Sequence, residues 1–402
     1  MKIVIAPDSF KENLTSLEVA TAIERGIRRV LPKARCVKIP MADGGEGTVQ
    51  SLVDATAGSL LRKRVRGPRG EPVSARYGIV GDGETAVIEM AEASGLPLIP
   101  RAERNPLETT TYGTGELIVD AMSRGIKSII IGIGGSATVD CGTGMAQALG
   151  VKFIGANGKE ITTLCSGGML GQIAKIDMSG LDPRVRKARI IIASDVDNPL
   201  YGRRGAAYVF GPQKGATPEM VKLLDSNLRR AAVVIKRDCG IDVAKLKGGG
   251  AAGGLGAGLV AFARARMKRG VDLVIEATQL KRYLRDADLV ITGEGRVDFQ
   301  TAFGKTPAGV AKAAKKFRVP VVAIGGGLAD DARGVYSHGI DALEAVAARD
   351  MDLAEALRLS RQHLENAGER VMRLILIGKS LGQRRAARVP RPGKRTFRAG
   401  QQ

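Results

Sequence analysis

The chain has 402 residues, 62 Lys and Arg against 41 Asp and Glu, four cysteines and no tryptophan. That length suits two or three domains; 44% apolar with 26% charged residues excludes a disordered or fibrous body, and no run of ~18 apolar residues offers a membrane span. Aromatics at 3% disfavour a single-strand nucleic-acid binder, and two histidines, His338 and His363, with no cysteine pair at ligand spacing, argue against a zinc site.

The N-terminal run Lys2–Ala6 reads as a strand stopped by Pro7-Asp8. It is too short for a secretory signal, so a cytoplasmic protein is expected. Thr15-x-x-Glu18 predicts a capping box, and Leu17, Ala20, Ile23, Ile27 and Val30 follow at helical spacing as far as Pro32. A second strand, Cys36–Pro40, runs into Met41-Ala-Asp-Gly-Gly-Glu-Gly47 and then a helix from Thr48 to Ala57. Val87–Met90 and Lys127–Ile133 read as strands, and Thr109-Thr-Thr-Tyr-Gly-Thr-Gly115 precedes a helix from Glu116 to Arg124. Ile129–Ala137 is a buried strand opening into a Gly-rich loop, with a helix from about Met145. Arg189–Ala193 is a strand ending at Ser194-Asp195-Val196-Asp197-Asn198-Pro199, and Gly248–Gly258 leads into a helix over Leu259–Met267. In the last third, Leu289–Ile291 is a strand ending in the loop Thr292-Gly-Glu-Gly295. Pro307–Lys316 is a helix, Pro320–Ile324 a strand, and Asp352–Ile377 a long amphipathic helix.

Both ends of the chain have clean parallel-type βα character, whereas the middle is richer in Gly and Thr. This predicts one doubly wound α/β domain from residues 1–80 and 285–377, with a second α/β domain, 81–284, inserted between. Residues 378–402, rich in Arg, Pro and Gly, are expected to form a disordered basic tail. Nine basic and no acidic residues fall between Val371 and Gln402. The remaining positive excess suits a polyanionic substrate, a basic housekeeping enzyme or nucleic-acid association; no helix-turn-helix, zinc-finger or RNP pattern supports the last.

Standard nucleotide motifs fail. Gly304-Lys305-Thr306 resembles the end of a P-loop, but Phe299 stands where the leading glycine belongs, and no Rossmann fingerprint follows the first strand. The loop Ile133-Gly-Gly-Ser-Ala-Thr138 is instead a candidate phosphate cradle, through the amides of Gly134 and Gly135 and the hydroxyl of Ser136. Acidic residues stand at strand ends or in Gly-rich loops at Asp8, Asp43/Glu46, Asp195/Asp197 and Glu294/Asp298, placed to hold Mg²⁺ or take a hydroxyl proton. Lys11, Lys214 and Lys305 stand beside glycine or polar clusters, where phosphoryl transfer needs cations. Neither histidine lies in such a loop, and His363 reads as a solvated helix residue.

The segments Ile3–Ser16, Pro40–Thr48, Arg104–Ile118, Ile129–Met145, Asp195–Ala216, Gly250–Leu259 and Ala287–Ala311 together resemble the bacterial type 1 glycerate kinases over residues 1 to about 377. The chain departs from that pattern at Val139 and Cys141, where the family usually has Asn and Gly, and at Glu12-Asn13, where it has Gly-Ser. The resemblance implies a flavodoxin-like domain with an inserted second domain, and ATP-dependent phosphorylation of D-glycerate, most members giving 2-phosphoglycerate. Formation of 3-phosphoglycerate and action on another small hydroxy acid are the alternatives. D-Glycerate is expected near Asp8, Ser9 and Lys11, with Asp43, Gly44, Gly45, Glu46 and Thr111 completing its site. MgATP is expected on Gly134, Gly135, Ser136 and Lys214, with Glu294 and Lys305 assisting; Asp195, Asp197 and Asp298 are the expected Mg²⁺ ligands, and Asp195 alternatively the general base. Small-molecule partners and a monomer or homodimer are expected.

Overall fold

Lys2–Ile5 is apolar on both faces, the signature of a strand covered on two sides. The computed structural model, which describes residues 1–347 and 352–388, places it near the centre of a parallel five-stranded sheet. The strands run Ala342–Ala345, Val321–Leu328, Leu289–Val297, Lys2–Ile5, Arg35–Lys38 across the sheet. Numbered along the chain, that is the 2-1-3-4-5 flavodoxin-like order. Alternate residues feed opposite layers. Ile3 and Ile5 pack with Ser16–Val30 and the C-terminal helix, while Val4 and Ala6 pack with Thr48–Thr56, Gly270–Ala277 and Thr306–Lys315. The expected capping box forms: Thr15 Oγ1 accepts from the Glu18 amide at 3.3 Å, and Glu18 accepts from the Thr15 amide at 2.9 Å.

A second sheet orders Arg266–Lys268, Arg189–Ala193, Ser128–Gly132, Thr85–Glu89, Pro72–Ile79, Ser59–Arg66. Its first four strands are parallel, and the last two form an antiparallel hairpin. By sheet membership, residues 59–79 therefore stand with the second sheet rather than with residues 1–80. Gly270–Leu284 packs against the helices of the first sheet. A short antiparallel pair, Lys152–Gly155 with Ile173–Asp177, and the helix Pro218–Cys239 complete this half.

Several elements differ from the sequence reading. Leu289–Val297 runs straight through Thr292-Gly-Glu-Gly295, because Gly293 lets the neighbouring strand approach: a Cβ on Gly293 would stand 2.1 Å from the Ile324 carbonyl. The C-terminal helix is split at Leu359 into Leu353–Arg358 and Ser360–Arg388. The second piece continues ten residues past Gly378, correcting the expected start of a disordered tail; 389–402 lie outside the described residues. Finally, Leu255–Ala263 starts four residues before the expected helix. Among the described residues no helix is long and apolar enough to cross a membrane.

Candidate active site

Between Lys2–Ile5 and Leu289–Val297 the connections leave in opposite directions, opening a crevice at the strands' carboxyl ends. Asp8 follows the first of these strands and Glu294 lies on the second. They line a cavity of about 670 Å³ with Ser9, Lys11, Asp43, Asp298 and Lys305. A smaller pocket of about 240 Å³ adjoins it, lined by Asp43, Gly44, Gly45, Gly134, Gly135, Ser136, Asp195 and Lys214. Asp43 belongs to both. The loop that carries it passes between the sheets at backbone contact: Gly44 has φ +91°, and a Cβ there would meet Gly270 Cα at 2.8 Å.

Asp43 is the electrostatic hub. Burial, then the charge of Asp43, pushes the Asp8 carboxyl up to about 7, although Thr306 Oγ1 and the Ser9 amide donate to it. Asp195 rises to about 6 for the same two reasons, opposed by Arg269, whose Nε is 3.6 Å from Oδ1. Burial also raises Glu294, against the Thr301 hydroxyl donating at 2.6 Å and Lys305 at 3.7 Å. Carboxylates that raise one another's pKa form a site that favours a cation or a proton.

On the other side of Asp43, Lys214 is fully buried. Its ammonium donates to Ser136 Oγ at 2.7 Å and to the Thr138 carbonyl at 2.6 Å, leaving a third proton for an anion. Burial depresses this lysine to about 7, with Asp140 partly offsetting the effect. The amides of Gly134 and Gly135 donate to no backbone carbonyl among the described residues.

A family model for the glycerate kinase family matches residues 3–376. The chain belongs to the glycerate kinase family. It is 52% identical to a glycerate kinase of Bacillus subtilis over 95% of this chain and 99% of that protein. It is 51% identical to the glycerate 2-kinase of Escherichia coli, over 94% and 99%. A crystal structure of a candidate glycerate kinase 2 from Salmonella typhimurium LT2 superposes with a TM-score of 0.87 at 50% identity, over 94% of this chain and 99% of that one.

In this glycerate kinase family member most of the expected residues converge, but four do not serve as expected. Thr111 is fully buried behind the glycine loop; its hydroxyl donates to Asp140 at 2.7 Å and accepts from the Met145 amide at 2.9 Å. Glu46 lines neither cavity but a small pocket beside Glu12 and Gln50, which shares Ser9, Phe10, Lys11 and Asn13 with the larger cavity. Asp197 is exposed and pairs with Lys247 at 3.1 Å, while Asp298 caps the turn Phe299–Phe303. Asp195, Asp197 and Asp298 thus form no shared metal centre, and among the described residues no three His, Cys, Asp or Glu side chains do. Mg²⁺ typically takes only one or two carboxylates plus substrate phosphates. Asp8, whose charged form the neighbouring Asp43 disfavours, fits that need together with Asp43.

The phosphate loop also differs from expectation. The helix after it, Thr143–Ala148, is short, and its leading amides are taken by Asp140, which accepts from Gly142 at 3.1 Å and Gly144 at 3.2 Å. An anion here is therefore met by loop amides and Lys214 rather than by a helix end. Cys141 carries φ +55°, the left-handed conformation that suits the glycine of the family pattern. His363 is not the solvated helix residue that its polar neighbours predict. It lines the larger cavity, and its Nε2 is buried without a hydrogen-bond partner. The interruption at Leu359 leaves no mark in the residue pattern.

Proposed function

We propose that this chain transfers the γ-phosphoryl group of ATP to the 2-hydroxyl of D-glycerate. One observation carries the reading: Asp43 lines both a lysine-bearing cavity large enough for a nucleotide and a smaller pocket built from glycine amides and a buried lysine. The names of the relatives support glycerate as acceptor and the 2-position as its reacting hydroxyl.

The acceptor oxygen forms the new P–O bond while the bond to the β-phosphate bridge breaks, and ADP leaves with that electron pair. Asp195, whose carboxyl stands at about 6 and is therefore ionised at pH 7, takes the hydroxyl proton. Lys11 and Lys305 offset phosphate charge at the larger cavity, and Lys214 does so for an anion in the smaller one. Asp8 and Asp43 would hold Mg²⁺, which supplies charge neutralisation on the transferring group when bound. The remaining work of the protein is alignment.

The test is ADP release with D-glycerate and Mg²⁺, followed by proton-coupled phosphorus NMR of the product. A doublet marks phosphate on the single-proton C2. A triplet would move the reaction to the 3-hydroxyl, and absence of D-glycerate-dependent ADP would refute the kinase reading.

A further inference from the structure

Of the two cavities that share Asp43, a three-carbon acid fills only part of the larger, at about 670 Å³, whereas the smaller, at about 240 Å³, cannot enclose a nucleoside triphosphate. The larger cavity has two ends. Asp8, Lys11, Glu294 and Lys305 make the inner, charged end. The outer arm is walled by Phe10, Leu328, Val346 and Leu357 and closes on Ser360 and His363.

Two features of this arm are unused by the chemistry described so far. His363 Nε2 is a buried ring nitrogen with no partner, able to donate or accept. Ser360 Oγ donates to the Leu357 carbonyl at 2.9 Å and keeps its acceptor capacity. An apolar slot whose lining includes an imidazole and a hydroxyl matches a nucleobase, which offers two flat faces and a polar edge. It does not match glycerate, which is polar along its whole length. The strand end beside the slot is Gly325-Gly326-Gly327. A Cβ on Gly326 would meet the Gly295 carbonyl at 2.4 Å and the Phe10 ring at 3.2 Å, so backbone and ring approach each other with no side chain between. The charged inner end lies at the reversal point of the 2-1-3-4-5 sheet, where doubly wound folds take nucleotides, and the slot continues from it past the carboxyl ends of Val321–Leu328 and Ala342–Ala345.

Resting on the kinase reading above, we infer that the outer arm of the larger cavity binds the nucleoside of the phosphoryl donor, its base between Phe10 and Leu357 with the polar edge at His363 and Ser360. The phosphates then run past Lys11 and Lys305 to Asp43. The smaller pocket is left to the acceptor, whose carboxylate meets Lys214. This reverses the placement expected from the sequence, in which Asp8, Ser9 and Lys11 took the acid and the glycine loop took the nucleotide.

Photolabelling of the full chain with 8-azido-ATP, followed by peptide mapping, tests the assignment. Label that excess ATP suppresses is expected on peptides containing Phe10, Leu357 or His363. Suppressible label on peptides containing Phe210, Gln213 or Ala252, which edge the smaller pocket, would overturn it even if D-glycerate-dependent ADP release is intact. Label beside His363 without any ADP release would instead keep the nucleotide site and refute the kinase reading. No suppressible label anywhere would refute both. In parallel, His363→Ala is expected to raise KM for ATP about tenfold with a much smaller change in KM for D-glycerate, and His363→Asn to recover part of the loss. A rise confined to KM for D-glycerate would overturn the assignment.

Discussion

On the proposal that Asp195 takes the hydroxyl proton, Arg269 sets the pH at which it does so. The carboxyl of Asp195 stands at about 6 because burial and Asp43 raise it while Arg269, 3.6 Å away, holds it down. Two unit charges at that distance interact by about 1 kcal/mol in a water-like medium and about 5 kcal/mol at an effective dielectric near 20. Both side chains are partly exposed, at 46% and 32%, so the lower figure governs. Arg269→Gln removes a cation that favours the charged form, and the Asp195 pKa rises by about one unit. A general base must be ionised, so the acid limb of kcat/KM should move from about 6 to about 7. At pH 6 the variant then runs about fivefold below the parent, and above pH 8 the two converge. The assay is kcat/KM for D-glycerate from pH 5 to 9 by coupled ADP release. A limb that stays in place or moves down would refute Asp195 as the ionising base, as would a uniform loss at every pH.

Asp195→Asn should lower kcat by about 100-fold or more without changing the thermal midpoint by more than a few degrees; parental turnover would dismiss it as base. Asp8→Asn should raise stability at neutral and alkaline pH. The Asp8 carboxyl is raised from 3.8 to about 7 in the fold, so its ionisation costs nothing below pH 4, a growing amount between 4 and 7, and on the order of 4 kcal/mol above. With chelator present, calorimetry should show the variant melting higher at pH 8 and level with the parent at pH 4, while turnover collapses; equal melting at pH 8 would contradict the burial argument. Truncation after Gly378 should leave melting and activity nearly unchanged, because Ile377 and Leu381 are exposed while the buried seam against Ser16–Val30 ends at Val371 and Met372. A large loss in either would assign that last stretch of helix a role.

Short-range signals are legible in the residues themselves. The Thr15–Glu18 box, the strand at Lys2–Ile5 and the helix starting at Thr48 each depend on neighbours within a few residues. The helix Pro218–Cys239 is equally open to such a reading, through Thr217 as cap, Pro218 in the first turn, and Val221, Leu224, Leu228, Ala231 and Ile235 at helical spacing. The Ser59–Arg66 strand is not, since Arg62, Lys63 and Arg64 mask an exposed sheet edge. Asp8, Asp43, Ser136, Asp195 and Lys214 stand out by residue type and loop setting, and the fold gathers them.

What the residues determined alone is therefore the α/β class, the family and the kinds of chemical group available, because capping, periodicity and motif identity reside in short stretches of chain. The tertiary structure decided the rest. Only packing distinguishes a carboxylate free to meet a ligand from one that ties down a loop: Asp140 and Asp195 both lie in loops after buried strands, but the fold commits the first to backbone amides and leaves the second facing a cleft. Contact between positions hundreds of residues apart determines burial, and burial controls charge and pKa.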